Sequence, residues 1–312
     1  MVAGLSVAIA GVMAFHRLLP NSPGRLGSLV ESFLPWGGVL VVLLLVVALV
    51  RRSGIVLMAL LLPVGVWVHS FGGLVLPAPG AGARELVVVQ HNVSDVNLDP
   101  AGTARALTAA GGDLVALQEV VVPALGVYED VLGDHYPHHV VHGTVGLWSS
   151  RYPIRVDQVV DIKPRAFEEG WSRGLRAVVR TPYGDVAAYV AHLPSVRVGV
   201  RGLASAARDE SARILGDLVR REKVRAVVLV GDLNGTVDDR GLEPLTSQLN
   251  VAERGFAFSF PAGFPVARID QVLARSATVG HIRTLPATGS DHLPVAARVS
   301  LGPLPASGRP AA

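Results

Sequence analysis

The chain has no cysteine in its 312 residues, which excludes disulfides, thiolate metal sites and a cysteine nucleophile. Charge is scarce. Only 17% of residues are charged against 50% hydrophobic, with a mean hydropathy of +0.44; a soluble domain is rarely this apolar, so part of the chain is expected to sit in lipid. No glycine-rich loop ending in Lys-Ser/Thr and no Gly-x-Ser-x-Gly stretch occurs, so nucleoside-triphosphatase and serine-hydrolase chemistry lack their parts. A basic excess is missing as well. Up to Gly80, Arg17, Arg25, Arg51 and Arg52 stand against Glu31 alone and account for the whole net charge of +3, leaving the remainder formally neutral. The high isoelectric point is therefore no argument for nucleic-acid binding.

What the chain does have, at its start, is apolar runs. Residues 34–50 and 54–76 are almost wholly apolar and are separated by Arg51-Arg52-Ser53; each approaches the ~20 residues needed to cross a bilayer core. Residues 2–19 form a shorter candidate without the basic start or cleavage site of a signal peptide. The sequence thus predicts two to three transmembrane helices over residues 1–76. Arg51 and Arg52 between two spans favour a cytoplasmic turn and an extracytoplasmic C-terminal domain in a multi-pass cell-membrane protein, although Arg17 and Arg25 tie them by count. Residues 77–83, rich in Pro, Gly and Ala, read as a linker, 84–301 as one folded domain, and 302–312 as a disordered tail.

From Arg84 onward short apolar strands alternate with a few helices. Strands are expected over 85–90, 113–117, 175–180, 186–191 and 224–230, and helices over 100–110 and 204–221. Thr181-Pro182-Tyr183-Gly184-Asp185 is a hairpin turn signal. Polar groups recur at strand ends. Asn92, Glu119, His192 and Asp232 each follow a Val/Ala/Leu run, Asp270 interrupts one, and Asp291-His292 precedes another. On a strand end residues two apart share a side, so Asp232 and Asn234 are expected to face one pocket, with Gly231 letting the backbone bend. Such a set of carboxylates, amides and two imidazoles is hard-oxygen chemistry, suited to Mg²⁺ or Mn²⁺. It excludes a tris-histidine zinc site built from these residues and fits metal-assisted attack of water on a phosphoester.

The ordered series Gln118-Glu119, Gly146 to Pro153, His192-Leu193-Pro194, Gly231-Asp232-Leu233-Asn234, Arg268-Ile269-Asp270 and Ser290-Asp291-His292 resembles the endonuclease/exonuclease/phosphatase superfamily, in its membrane-anchored bacterial form. The resemblance implies an α/β fold: a four-layered sandwich of two packed mixed sheets flanked by helices, with the site at one end. It also implies roles. Glu119 would be the main Mg²⁺ ligand, helped by Asn92 and Asp291. Asp232 would orient or deprotonate water and Asn234 would bind phosphate. His292 paired with Asp270 would stabilise the phosphate or exchange protons, and His192 would stand on the leaving-group side. Two positions depart from the family pattern, Gln271 and Phe258-Ser259-Phe260-Pro261, and both are expected to reshape the substrate rim.

Other polar residues have plainer explanations. Asn97 fits a helix-flanking cap as well as a site, His135, His138, His139 and His142 read as a solvated loop, and Trp148 and Trp171 read as packing or rim residues. The function expected is a membrane-anchored hydrolase of phosphodiesters or phosphomonoesters. Lipid headgroups, small phosphodiesters and nucleic acid are its possible partners, a surface endonuclease is one alternative, and a catalytically silent membrane-anchored binding domain is another. Oligomeric state is not legible in the sequence.

Overall fold

The computed structural model describes residues 1–77, 80, 82 and 84–302; the expected linker and tail lie mostly outside them. Four helices come first: α1 (Val2–Ala14), α2 (Leu26–Ser32), α3 (Gly37–Val50) and α4 (Gly54–Phe71). Only one continuous helical stretch among the described residues, Gly54–Val75, is long and apolar enough to cross a membrane. The expected span 2–19 is shorter than the sequence suggested, whereas 34–50 is helical over those residues, its first turn a 3-10 turn. Helix α1 has 13 residues, about 20 Å at 1.5 Å per residue, against a hydrocarbon core of about 30 Å. Leu26–Ser32 and Leu34–Val50 reach spanning length only together, and they meet at a 61° bend. The outer faces of α3 and α4 are bare of protein cover: Val42, Leu43, Leu49, Ile55, Met58 and Leu61 are all exposed.

Beyond the helices come β1 (Glu85–Asn92), α5 (Pro100–Ala109), β2 (Leu114–Gln118), α6 (Val122–Gly133), β3 (His138–His142), β4 (Val145–Ser149), β5 (Ile154–Val159), β6 (Gly174–Thr181) and β7 (Gly184–His192). They are followed by β8 (Arg197–Gly199), β9 (Gly202–Ala204), α7 (Ala206–Arg221), β10 (Ala226–Asp232), α8 (Glu243–Thr246), β11 (Asp270–Arg275), β12 (Ala277–Thr284) and β13 (Val295–Leu301). One sheet runs β12-β13-β1-β2-β4-β3 and the other β11-β10-β7-β6-β5. Both are mixed: β1 is parallel to β2 and antiparallel to β13, and β10 is parallel to β7 and antiparallel to β11. A core of Leu86, Val88, Ala188, Val190, Val228 and Val230 fills the space between the sheets. Helix α7 packs Ala212, Leu215 and Val219 on the back of one sheet, and α5 and α6 pack Leu107, Tyr128 and Leu132 on the back of the other. The expected α/β sandwich of four layers is what forms.

Local signals explain several boundaries. Asp99 caps α5 by accepting from the Gly102 N–H at 2.8 Å, with Pro100 at the first helical position. Gly231 cannot be replaced, because a Cβ there would lie 1.8 Å from the Ala191 carbonyl oxygen of the adjacent strand. One reading is corrected. Three of the four loop histidines, His138, His139 and His142, lie on the edge strand β3, where His142 meets Asp157 at 2.7 Å and His139 stacks on buried Trp148 at 6.0 Å. On this edge strand Val140 packs against one core and Val141 against the other, and such a consecutive apolar pair lacks the period-2 alternation by which strands are recognised.

The N-terminal helices are docked against the sandwich. Glu31, fully buried, receives the Arg240 guanidinium at 2.8 and 2.9 Å and the Arg240 backbone N–H at 2.9 Å. The other Arg240 contacts are the His16 and Leu19 carbonyls. Arg25 pairs with Asp209 of α7. Trp36 donates to the Val266 carbonyl at 2.7 Å and stacks on Phe258 at 5.5 Å.

Candidate active site

Strand alternation brings the polar strand ends together. In β10, Val228 and Val230 face the other sheet while Val227 and Leu229 face α7, so the next residue on the inner side is Asp232. The same parity holds in β1 (Leu86, Val88, then Gln90 and Asn92), β2 (Leu114, Ala116, then Gln118), β7 (Ala188, Val190, then His192) and β11 (Val272 and Ala274, preceded by Asp270). All these even-numbered positions point between the sheets. In register, Asp232 stands beside His192 of β7 on one side and Asp270 of β11 on the other.

The side chains interlock. The Asn92 amide nitrogen donates to Glu119 Oε1 and to Asp232 Oδ2, each at 3.1 Å, while Asn92 Oδ1 accepts from the Ser94 N–H at 3.0 Å. His192 Nε2 lies 3.7 Å from Glu119 Oε1 and 3.6 Å from Asp232 Oδ2. Across Asp232, His292 Nε2 lies 3.8 Å from Oδ2, and its Nδ1 is 2.8 Å from Asp270 Oδ2. Asp270 Oδ1 also accepts from Gln90 at 2.8 Å. The turn before β13 is tied to β1 by Ser290 Oγ, which donates to the Asn92 carbonyl at 2.7 Å and accepts the His292 N–H at 3.0 Å. Glu119 follows β2 at φ 60 and Asn234 follows β10 at φ 48, left-handed turns that swing each side chain out of its strand.

Electrostatics divide the two imidazoles. Burial disfavours charge on His292, but the field and hydrogen bond of Asp270, with Asp232 and Asp291 beyond, push it up to about 10. Asp270 is held below the usual carboxylate range: burial opposes this, and the charge and hydrogen bond of His292 prevail. Burial drives Asp232 upward, against the attraction of His292. His192 is pushed down to about 3 by burial, by Arg173 and by His292; an Arg173 guanidinium nitrogen lies 3.1 Å from its Nδ1.

A divalent cation fits one side of this arrangement better than the other. Asp232, Asp270 and His292 offer ligand atoms all within 4.8 Å of one another, a geometry that a metal could use. Yet His292 Nδ1 is taken up by Asp270, whose charge favours the cationic ring, and Asp270 is closed by His292 and Gln90, so this group reads as an acid–base relay. Glu119 and Asp232 converge instead on the positive end of the Asn92 amide dipole, and Glu119 opens toward solvent with a quarter of its side chain exposed. Oxygen donors of this kind suit Mg²⁺ or Mn²⁺.

One cleft of about 450 Å³ is lined by Asn92, Glu119, Asp232, Asn234, Asp291 and His292. The expected residues are therefore gathered, with His192 and Asp270 buried behind its wall. Asn234 reaches the cleft through its left-handed turn, not as a continuation of the strand, and its amide donates to the Leu193 carbonyl at 2.9 Å. Gln271 is not on the rim: it is buried and bonds the Gly235 and Arg268 carbonyls. Phe260 and Pro261 do line the cleft, and Phe260 packs on His292 at 4.9 Å.

Sequence reasoning passed over three contributors. Gln90 clamps Asp270, and Arg173 faces His192. Arg208, fully buried, bonds the Asn234 carbonyl at 3.0 Å and pairs with Asp239. The missed signal was an arginine on the apolar face of α7, in line with Ser211, Ala212 and Leu215. Ser32 and Phe33 also line the cleft, which no local pattern announced.

Solved structures similar to this chain include an endonuclease/exonuclease/phosphatase from Beutenbergia cavernae, 23% identical with a TM-score of 0.58, covering 72% of this chain and 74% of its own. A mannosyl-6-phosphatase of Bacteroides thetaiotaomicron is 17% identical with a TM-score of 0.56, covering 69% and 100%. Sphingomyelinase C from Streptomyces griseocarneus is 20% identical with a TM-score of 0.52, covering 70% and 99%. Comparison with curated protein sequences gave no match. The family model described as "Endonuclease/Exonuclease/phosphatase family" matches residues 89–292, a stretch that contains every residue of the cleft described above apart from Ser32 and Phe33. With this match and the two-sheet sandwich in agreement, the chain belongs to the endonuclease/exonuclease/phosphatase family and is a phosphoester hydrolase.

Proposed function

We propose that the protein is a membrane-anchored, Mg²⁺-dependent (or Mn²⁺-dependent) hydrolase of lipid-headgroup or other small phosphoesters, with its catalytic domain outside the cytoplasm. The observation that carries this reading is the cleft itself, where Glu119 and Asn92 stand on one wall and the Asp270–His292 pair on the other, with Asp232 between them. Glu119 and Asn92, with Asp232 or Asp291, would hold the cation, whose contribution when bound is Lewis-acid polarisation of a phosphoryl oxygen. Asp232, desolvated and fixed by the Asn234 N–H at 2.9 Å, orients the attacking water and accepts its proton. His292, kept cationic by Asp270, sets positive charge where negative charge develops on phosphate. Asn234 orients the phosphate at the cleft floor. His192, neutral and facing Glu119, stands on the leaving-group side.

Membrane attachment is supported by the uncovered apolar faces of α3 and α4, and the choice of side by Arg51-Arg52 between them. Small esters are favoured over duplex DNA because the charge after Gly80 is balanced, whereas a DNA enzyme draws affinity from neutralised phosphates. The similar folds of a sphingomyelinase and a mannosyl-6-phosphatase agree with that direction. The test is a metal-dependent screen of the full chain against plasmid DNA, sphingomyelin, phosphoinositides and aryl phosphodiesters at about 150 mM salt, where electrostatic DNA binding is screened. Higher kcat/KM for a lipid or small ester is expected; plasmid nicking with no other turnover would make the protein a surface nuclease.

A further inference from the structure

The N-terminal helices carry a cavity that the catalytic chemistry does not use. A groove of about 600 Å³ runs between α1, α2 and α3, and every residue lining it is apolar, Leu5, Ile9, Val12, Trp36 and Leu40 among them. The indole N–H of Trp36 is spent on the Val266 carbonyl, so the lining side chains have nothing to offer water, and hydrocarbon is what such a surface takes. One of its lining residues is shared with the active site. Phe33, at the bend between α2 and α3, lines this groove and also the cleft that holds Glu119, Asp232 and His292. The junction is held in place from both sides, by Glu31 against Arg240 and by Trp36 against Val266 and Phe258. Helix α1, about 20 Å long, is too short to span but long enough to border a single leaflet, about half of the ~30 Å core.

We infer that the groove is a lipid-tail subsite: one hydrocarbon chain of a membrane lipid lies along α1 to α3 while its phosphoester headgroup passes Phe33 into the catalytic cleft. This inference rests on the reading of the cleft as a phosphoesterase site. It adds that substrate is drawn sideways from the bilayer, and that part of its affinity comes from helices outside the family's catalytic fold. Each methylene that enters the groove leaves water, a gain corresponding to about three- to fourfold in binding.

The test uses the full chain in a mild detergent, Mg²⁺, and a series of alkyl 4-nitrophenyl phosphodiesters with chains from two to twelve carbons. The expected kcat/KM rises about three- to fourfold per methylene over the first several carbons, and Ala8→Trp, which fills the groove, flattens that slope. A second measurement needs no catalysis: a phosphatidylcholine with a diazirine near the end of one acyl chain, in vesicles, should label residues 5–13 and 30–40 well above the outer face of α4 at Ile55, Met58 and Leu62. Turnover with a flat chain-length profile, or labelling spread evenly over all the apolar helix faces, overturns the subsite and leaves the phosphoesterase reading standing. No turnover of any ester, the two-carbon one included, overturns the phosphoesterase reading, and the labelling pattern still decides the groove.

Discussion

His192 and His292 flank the same carboxylate, 3.6 and 3.8 Å from Asp232 Oδ2, and both are buried, yet their surroundings push them in opposite directions, His192 toward the neutral ring and His292 toward the cation. Behind His292 stands Asp270, which holds it cationic; behind His192 stands Arg173, which with burial holds it neutral. Residue type and depth are alike, so the partner behind each ring sets its state. The wall with Asp270 and His292 is therefore equipped to meet negative charge, and the wall with Glu119 and Asn92 to receive a cation.

The largest effects should come from the carboxylates at the centre. Glu119→Gln keeps the shape but removes the charge a hard cation needs, so kcat/KM should fall roughly a thousandfold or more, as loss of several kcal/mol of charge stabilisation implies. Metal titration should show weaker Mg²⁺ binding. Asp232→Asn should lose comparable turnover with a smaller change in metal affinity. Full activity of either folded variant in saturating Mg²⁺ would break the assignment of the two walls.

Next in size are the relay residues. His292→Ala and Asp270→Ala should each lower kcat by about 10²- to 10⁴-fold, and the double variant should be no worse than the poorer single, because the pair acts as a unit. Losses that multiply would mean that Asp270 serves something other than His292. On the opposite wall Arg173→Met removes one polarising contact, and kcat should drop only about tenfold. A loss as deep as that at His292 would erase the asymmetry between the walls.

The smallest effect tests the same rule far from the cleft. Glu222 is disfavoured as an anion by burial, but Arg176, the Val224 N–H and Tyr189 outweigh that and hold it at about 2. A folded value below the unfolded one, about 4.3 for glutamate, contributes stability that is complete above the unfolded pKa and is lost as pH falls through the folded one. Glu222→Gln should lower Tm by about 2–4 °C near pH 7, and the gap should close between about pH 4.5 and 2. A gap independent of pH over that range would show that the ion pair is not its source.

Much of the catalytic domain was legible because strand signals are local. The Val-rich runs ending in Asn92, Gln118, His192 and Asp232 predict β1, β2, β7 and β10 within a few residues, and their common parity puts these polar ends in one layer, while Glu119 enters through its left-handed turn. Residues whose role is defined across the fold were not legible. Gln271 reads as a rim residue until its amide is seen bonding Gly235 and Arg268. Arg208 looks like a surface charge until Asp239 and the Asn234 carbonyl enclose it.

By itself the sequence determined that the first 76 residues are apolar helix formers, that the rest alternates short strands with a few helices, and that its strand ends carry side chains suited to phosphoester hydrolysis; the sandwich was implied by the family resemblance. The first three follow from hydropathy, alternation and residue chemistry, which act over a few positions at a time. The tertiary structure decided that helices α2 and α3 break at Phe33, that Glu31 clasps Arg240 across 209 positions in the chain, and that of the two histidines beside Asp232 one is pushed toward the cation and the other toward the neutral ring. Each of those outcomes depends on which distant groups come to lie within a few ångströms, because burial and neighbouring charge are properties of a place in the fold.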